Sequence, residues 1–176
     1  MPSEKLVKNF MRSLDHYSYI KEDETVHKAI RLMDKVRKKG THPCLFVVGE
    51  EQYEKRFIKG FVTPSELVFG LSAHFLKGAQ KSGPVFWEGQ LEAECMEGLK
   101  KRVREIMVPV VACVRESNML MEAVFLLNKY HIDFLPVVNR DDVVGMIHIH
   151  EISAYIAELA LGIQSRSKEE NKRGNP

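Results

Sequence analysis

The chain has few of the features that would tie a small protein to secretion, a membrane or a metal. Its 176 residues include only three cysteines, Cys44, Cys95 and Cys113, and their wide spacing does not form a metal-ligand pattern. No apolar run approaches the roughly 18 to 20 residues that cross a bilayer, and the amino terminus has no signal-peptide pattern. We therefore expect reduced thiols, no bound metal, no membrane contact and a cytoplasmic location.

A strong charge imbalance and catalytic motifs are also missing. The formal charge of +2 arises within residues 165–176, which hold four basic and two acidic groups, so the remainder is neutral. A neutral body offers no broad surface for a polyanion, and nucleic acid is not an expected partner. Because no Gly-rich phosphate loop, nucleophile motif or His-carboxylate spacing occurs, we expect that the protein is not an enzyme.

What the sequence does contain is an internal repeat, in which four landmarks return in the same order. The matching segments are 7–11 and 103–107, 26–33 and 120–127, 45–48 and 135–138, and 60–67 and 145–152. A repeated supersecondary unit usually packs against its own copy, because neither copy buries its apolar surface alone. The cleft between the two copies is therefore the predicted functional site.

Hydrophobic periodicity predicts a β, α, β, β, α order in each copy and an α+β fold. The predicted divisions are a first motif over 1–70, a helical insertion over 71–102, a second motif over 103–163 and a disordered tail over 164–176. Asp23 is the predicted N-cap of the first long helix. The insertion is predicted to continue one helix from Ser65 to about Gln80 and to form another from Trp87 to Arg104.

The landmarks carry a family resemblance. An Ile-Met-like start, a helix with an Ala-aliphatic stripe, the strand Pro136-Val137-Val138 and the junction Gly60 to Glu66 together resemble the cystathionine-β-synthase (CBS) domain. Two such domains in tandem resemble a Bateman module, with pseudo-twofold symmetry. The resemblance implies regulation through an adenine nucleotide, AMP, ADP or ATP, bound in the cleft, with S-adenosylmethionine or NAD as alternatives. It also implies a homodimer that signals to an unknown partner protein.

A second interpretation remains open, in which the module is a ligand-free dimerisation scaffold with degenerate sites. In either case apolar helix surface predicts dimer contacts, because closed symmetric dimers cover such patches on both copies. The best candidates are the C-terminal helix around Tyr155 and Leu159, and the turn at Phe86-Trp87.

The junction after Val62 has two interpretations that the sequence leaves open. As local structure, Thr63 is the expected N-cap, Pro64 the first helical residue, and Glu66 the partner that completes a capping box. The same helix N-terminus also suits a phosphate group. The family resemblance implies that Thr63 and Ser65 contact phosphate and that Glu66, in place of the usual Asp, contacts the ribose.

The second junction departs further from the family pattern. His148 and His150 stand where the motif has hydroxyls, and Glu151 again replaces Asp. Within a strand, residues one position apart point to opposite faces, so the two imidazoles are not expected to act together unless the helix begins between them. One histidine is expected to cap the helix or to contact a ligand phosphate when protonated.

The resemblance assigns six further ligand-binding positions, all in the first copy. Arg12 and Ser13 follow Met11, where relatives often place a phosphate-binding Thr. An apolar slot for adenine is expected from the ends of two strands, at Tyr19, Ile20, Cys44 and Leu45. These assignments predict two unequal half-sites, with ligand binding tied to the first copy.

Overall fold

The computed structural model describes residues 4–49 and 57–162. The tail predicted over 164–176 lies outside these ranges. The elements in chain order are β1 (Arg12–Ser13), β2 (Ser18–Lys21), α1 (Val26–Lys38), β3 (Leu45–Val48), β4 (Ile58–Val62), α2 (Pro64–Leu71), α3 (Ala73–Ser82), α4 (Gln90–Gly98), β5 (Val108–Pro109), β6 (Val114–Arg115), α5 (Leu120–Tyr130), β7 (Phe134–Asn139), β8 (Asp142–His148) and α6 (Ile149–Leu161).

The strands form two small mixed sheets, which gives an α+β fold. One sheet has the order β2-β3-β4-β5 and the other the order β1-β8-β7-β6. Strands β2 and β3 run parallel, whereas β4 runs antiparallel to both of its neighbours. Strand β6 is parallel to β7 in the same way. Each repeat therefore builds the same arrangement, with helices α3 and α4 lying between the repeats in sequence.

The chain divides into two compact units. Within the described residues, the first-motif unit consists of residues 13–111 and 139–144, and the second-motif unit of residues 4–12, 112–138 and 145–162. The leading segment of the first repeat thus packs with the second repeat, and the leading segment of the second repeat, residues 103–111, packs with the first. The predicted boundaries, 1–70 and 103–163, delimit sequence motifs and do not coincide with these packing units.

Backbone hydrogen bonds hold each exchanged segment in place. In the first-motif unit, the Val103 and Arg104 N–H groups donate to the carbonyls of Glu24 and Glu22, both at 2.9 Å. In the second-motif unit, the matching N–H groups of residues 7 and 8 donate to the carbonyls of residues 118 and 116, both at 3.0 Å. Val7 and Val103 are both fully buried, so the two segments belong to the hydrophobic cores.

Glycines permit this exchange at equivalent places in the two sheets. A Cβ atom on Gly60 would lie 2.4 Å from the carbonyl oxygen of Val108, and one on Gly145 would lie 2.4 Å from the carbonyl oxygen of Arg12. Any larger residue would push the short leading strand away from its neighbour. Gly60 and Gly145 recur at the same place in the two repeats because the backbone of the neighbouring strand leaves no room for a side chain there.

The N-cap of helix α1 lies two residues after the predicted one. Thr25 is the N-cap, and its hydroxyl accepts a hydrogen bond from the Lys28 N–H at 3.3 Å. The predicted cap, Asp23, instead forms an ion pair with Arg104. The apolar face of α1 then packs on the sheet through a core made of Ile20, Val26, Ala29, Met33, Val36, Leu45, Val47, Val62, Val103 and Ile106.

The insertion contains shorter helices than predicted. The helix that starts at Pro64 ends at Leu71, where Ser72 leaves helical geometry, and α4 covers only Gln90–Gly98. A Cβ on Gly98 would lie 2.5 Å from a methyl carbon of Leu71. Helix α4 therefore packs directly against the end of α2, and this tertiary contact overrides the continuous helical pattern of the sequence. No helix within the described ranges has the length and apolarity to span a membrane.

Candidate functional site

The first junction lies at one edge of the sheet in the first-motif unit. Leu45, at the start of β3, is in register with Ser18 at the start of β2 and with Val62 at the end of β4. The chain therefore brings three strand ends to this edge. Cys44 precedes one of them, and Thr63 follows another.

The Thr63 to Glu66 turn forms the predicted cap. Thr63 is the N-cap of α2 and Pro64 is its first residue. The Glu66 carboxylate accepts hydrogen bonds from the Thr63 backbone N–H, at 2.8 Å, and from the Thr63 hydroxyl. Ser65 is exposed at the second helical position. In this state the Glu66 carboxylate is engaged within its own turn, and a ligand would have to compete for it.

Two titratable groups beside this edge are held neutral. Burial raises the pKa of the Cys44 thiol to about 12, and the negative charge of Glu66 adds to the shift. Burial also raises the pKa of Tyr19, with a further contribution from the charge of Asp15. Since the thiolate is the reactive form of cysteine, Cys44 is suited to packing and not to nucleophilic chemistry.

The four residues of the predicted adenine slot divide between the two faces of the sheet. Ile20 and Leu45 belong to the core beneath α1. Tyr19 lies on the opposite face, where its ring meets Phe46 edge-on with centroids 5.4 Å apart. Cys44 is buried just before β3. Only Tyr19 and Cys44 among the four therefore lie outside the helix-facing core.

An aromatic layer on that second face was missed by the sequence analysis. Tyr17 stacks on Phe46 at 4.7 Å, and Phe61 meets Phe46 edge-on at 5.5 Å. The available signal was the spacing of Tyr17 and Tyr19, because residues two apart in an extended segment share a face, and Tyr17 has extended backbone geometry just before β2. Phe46 and Phe61 are buried, so the half-buried Tyr17 and Tyr19 form the accessible part of this layer.

At the second junction the helix begins between the two histidines. His148 is the N-cap of α6, and its Nδ1 accepts a hydrogen bond from the His150 N–H at 3.2 Å. The two rings stack with centroids 4.6 Å apart, so they are not on opposite faces as they would be in a continuous strand. The prediction that one histidine caps this helix is confirmed.

Glu151, in the first turn of α6, is paired with Arg12. The Arg12 Nε and Glu151 Oε1 atoms lie 2.5 Å apart in the second-motif unit. Arg12 was expected to contribute to a ligand site in the first copy, but this contact lies in the second-motif unit. The reason is the exchange of leading segments, which places β1 beside β8. At the first junction the equivalent strand is Val108–Pro109, next to β4.

Ser13, the residue after Arg12, caps the short turn over Leu14–His16. Its hydroxyl accepts a hydrogen bond from the Asp15 N–H at 3.4 Å.

An apolar groove of about 790 Å³ runs between α5 and α6 in the second-motif unit, and His150 of the second junction is part of its lining. Its lining is mainly aliphatic and includes Val124, Leu127, Ile149, Ile152 and Ile156. Ile156 and the neighbouring Leu159 remain more than half exposed. Tyr155, on the same helix, packs instead against Phe10 with ring centroids 4.9 Å apart. Helix α6 therefore leaves the apolar side chains of Ile156 and Leu159 exposed. Tyr155 does not add to this surface in the same way, because its ring packs against Phe10 within its own unit.

Comparison with known families gives one match that covers both repeats. The sequence model of the CBS domain matches residues 7–73 and 103–158. No curated protein matches this chain in sequence.

Solved structures share the fold at low sequence identity. The CBS-pair protein CBSX2 from Arabidopsis thaliana is similar with a TM-score of 0.63 and 18% identity, over 90% of this chain and 99% of that one. CBSX2 in complex with AMP gives a TM-score of 0.58 and 22% identity, over 89% and 98% of the two chains. The cytosolic domain of the Mg²⁺ channel MgtE in complex with ATP gives 0.57 and 21%, over 86% of this chain and 48% of that one. The chain thus spans about half the length of the MgtE domain.

Proposed function

Since this chain belongs to the CBS domain family, we propose that it is a regulatory, non-catalytic module that binds an adenine nucleotide at its strand-to-helix junctions. The observation that carries the proposal is that both repeats end a strand in a capped helix N-terminus, with an acidic residue in the first helical turn. Backbone N–H groups and the helix dipole favour phosphate at such a place. The acids Glu66 and Glu151 are the candidates for the ribose hydroxyls.

Structural relatives support the choice of ligand class. One relative was solved with AMP and another with ATP. In this chain Thr63 and Ser65 would meet phosphate at the first junction, and His148, His150 and Arg12 would do so at the second. The aromatic layer next to the first junction, with Tyr19 and Cys44, would flank the adenine, and Ile20 and Leu45 would support it from the core. We further propose that the protein acts in the cytoplasm on a partner protein.

Ligand-dependent thermal stabilisation tests this function directly. AMP, ADP or ATP should raise the unfolding temperature, because a ligand that prefers the folded state stabilises it. NAD and S-adenosylmethionine serve as alternative adenosyl ligands in the same assay. If none of the five raises the unfolding temperature at millimolar concentration, nucleotide binding is excluded.

Point variants then assign the junctions. Thr63→Ala should weaken nucleotide binding by about 1 to 3 kcal/mol through the lost hydroxyl, whereas Thr63→Ser keeps the hydroxyl and should bind normally. His148→Ala tests the second junction in the same titration. The first-junction assignment is wrong if Thr63→Ala leaves the affinity unchanged, and the second-junction assignment is wrong if His148→Ala leaves it unchanged.

The scaffold alternative has its own supporting observation, because both acids are engaged within the protein. Glu66 accepts bonds from its own cap, and Glu151 is paired with Arg12. Under this alternative the apolar surface around Leu159, which is 64% exposed, forms a homodimer that needs no nucleotide. Phe86, 76% exposed, is a second candidate contact.

Assembly is tested by light scattering, which should give about twice the chain mass. Leu159→Asp should yield monomer or aggregate, because burying an unpaired charge is costly. Glu158→Gln, at a neighbouring exposed position, is the control and should leave the mass unchanged. A wild-type mass equal to one chain at tens of micromolar would contradict the homodimer.

A further inference from the structure

We propose that an exposed aromatic turn in the insertion is the docking site for a segment of a partner protein that carries both apolar and basic side chains. The site, which we call the insertion patch, consists of the side chains of Val85, Phe86, Trp87 and Leu91. This inference rests on the part of the proposed function that assigns the module a partner protein, and it is independent of nucleotide binding.

The insertion patch leaves large apolar side chains in solvent. All four of its members are more than half exposed. Single apolar residues at a surface are common, whereas several that lie together mark an interaction site. Tryptophan and phenylalanine are also enriched at protein interfaces, where a few large side chains supply most of the binding energy. Phe86 and Trp87 are therefore the expected anchors of a contact.

The turn that carries the patch is held in one conformation. Gly89, the N-cap of α4, has left-handed backbone geometry with φ of 79°. The Gln90 N–H donates to the carbonyl of Trp87 at 3.3 Å. The ring of Phe86 meets that of Phe75, on α3, with centroids 5.9 Å apart. The apolar side chains thus belong to an ordered turn, and a preorganised surface loses little conformational freedom on binding.

The charges around the patch are all negative. Residues 82–99 contain four glutamates and no Lys, Arg or Asp. Glu88 directly follows Trp87, and Glu92 directly follows Leu91. Both carboxylates are exposed, and neither forms an ion pair with a residue of the described ranges. They are therefore available to a cationic partner.

The lysines of α3 do not neutralise this acidic rim. Lys77 and Lys81 lie about 200° and about 240° around the helix from Phe75, the residue that meets Phe86. They therefore project from the opposite side of α3. A partner that covers the patch must supply apolar side chains flanked by Lys or Arg, because charges across an interface are complementary. An Arg or Lys over the Trp87 ring would add a cation–π contact.

A second copy of the chain does not fit this surface. Phe86 is a candidate contact of the scaffold alternative, but in a closed twofold dimer the same patch meets itself. Glu88 and Glu92 of one copy would then face the same carboxylates of the other, and like charges across an interface disfavour association. A homodimer would instead use the apolar surface around Leu159, which leaves the insertion patch for a different protein.

Trp87 is the single tryptophan of the chain, so its fluorescence reports directly on the patch. The full chain is titrated with a synthetic amphipathic helical peptide of leucine and arginine, and with a counterpart that carries glutamate in place of arginine. The arginine peptide should shift the Trp87 emission to shorter wavelength in a saturable way, because it covers the indole. The glutamate peptide should bind at least about tenfold more weakly, and added salt should reduce this difference.

Two variants assign the binding to named residues. Phe86→Ala removes an anchor, should weaken binding of the arginine peptide about tenfold, and keeps Trp87 as the reporter. Glu88→Gln combined with Glu92→Gln removes both charges and should reduce the preference for the arginine peptide about fivefold. Glu158→Gln, on α6, is the control and should change neither quantity. All four positions are exposed, so these variants should unfold at the wild-type temperature.

The proposal is overturned if the arginine peptide leaves the Trp87 emission unchanged, if the two peptides bind equally well, or if neither variant weakens binding or preference. A shift that depends on protein concentration alone would place a second copy on the patch and would also overturn it. So would a shift on uncharged phosphatidylcholine vesicles, which would place a membrane there.

Nucleotide binding is judged by a separate measurement. Thermal stabilisation by AMP or ATP should be the same in the wild type and in Phe86→Ala. Its absence from both would refute the nucleotide proposal and leave the docking site standing. Conversely, failure of the peptide titration would leave the nucleotide proposal intact.

Discussion

Replacing Gly60 with alanine should separate the exchanged leading strand from its sheet. The new Cβ atom would lie 2.4 Å from the Val108 carbonyl oxygen and 3.2 Å from the Val108 carbonyl carbon. Ordinary contact begins at 3.4 Å, so β5 would have to move by about 1 Å in a tightly packed region. Both close atoms belong to the backbone, which cannot rotate away as a side chain can.

The loss of unfolding free energy in Gly60→Ala follows from two opposing contributions. Forcing an extra carbon into a packed site costs about 1 to 3 kcal/mol. Alanine reduces the conformational entropy of the unfolded chain, which offsets about 0.4 to 1 kcal/mol. The expected net loss of unfolding free energy is therefore about 1 to 2 kcal/mol, a fall of roughly 2 to 8 °C in unfolding temperature for a chain of this size.

Urea unfolding followed by circular dichroism measures this loss as a lower midpoint. Gly78→Ala is the matched control, because Gly78 lies within α3 and a Cβ there meets nothing within 4 Å. It should raise stability by about 0.5 to 1 kcal/mol through helix propensity. Gly145→Ala, which has the same 2.4 Å approach to Arg12, should resemble Gly60→Ala. If Gly60→Ala unfolds at or above the wild-type midpoint, close backbone approach is not the reason for this glycine.

Three further predictions follow from individual contacts. Thr25→Ala should lower the unfolding free energy by about 1 kcal/mol through the lost cap of α1 in a urea titration, whereas an effect only for Asp23→Ala would restore the original cap assignment. Val7→Ala should cost about 2 kcal/mol, because Val7 is fully buried in the second-motif unit, and no change in the same titration would contradict the exchange of segments. Cys44, with its pKa raised to about 12, should resist a thiol reagent at pH 8 while the exposed Cys113 reacts; equal labelling rates would refute its burial.

The candidate site was only partly accessible to sequence reasoning. The cap at Thr63, Pro64 and Glu66 was predicted because its signals lie within four residues of one another. The cap of α1 was assigned wrongly because Asp23 and Thr25 are both good capping residues. The choice between them involves Arg104, which lies 81 positions from Asp23 and pairs with it.

The sequence alone established the tandem CBS pair and the α+β fold, and both predictions are confirmed. It could do so because repeats, strand alternation and helix stripes are local patterns, which one chain displays without any knowledge of its packing. Tertiary structure alone decided which repeat each leading segment joins, and therefore that Arg12 meets Glu151, 139 positions away. The physical reason is that backbone pairing and close approach at glycine depend on distances between remote segments, and no local pattern encodes those distances.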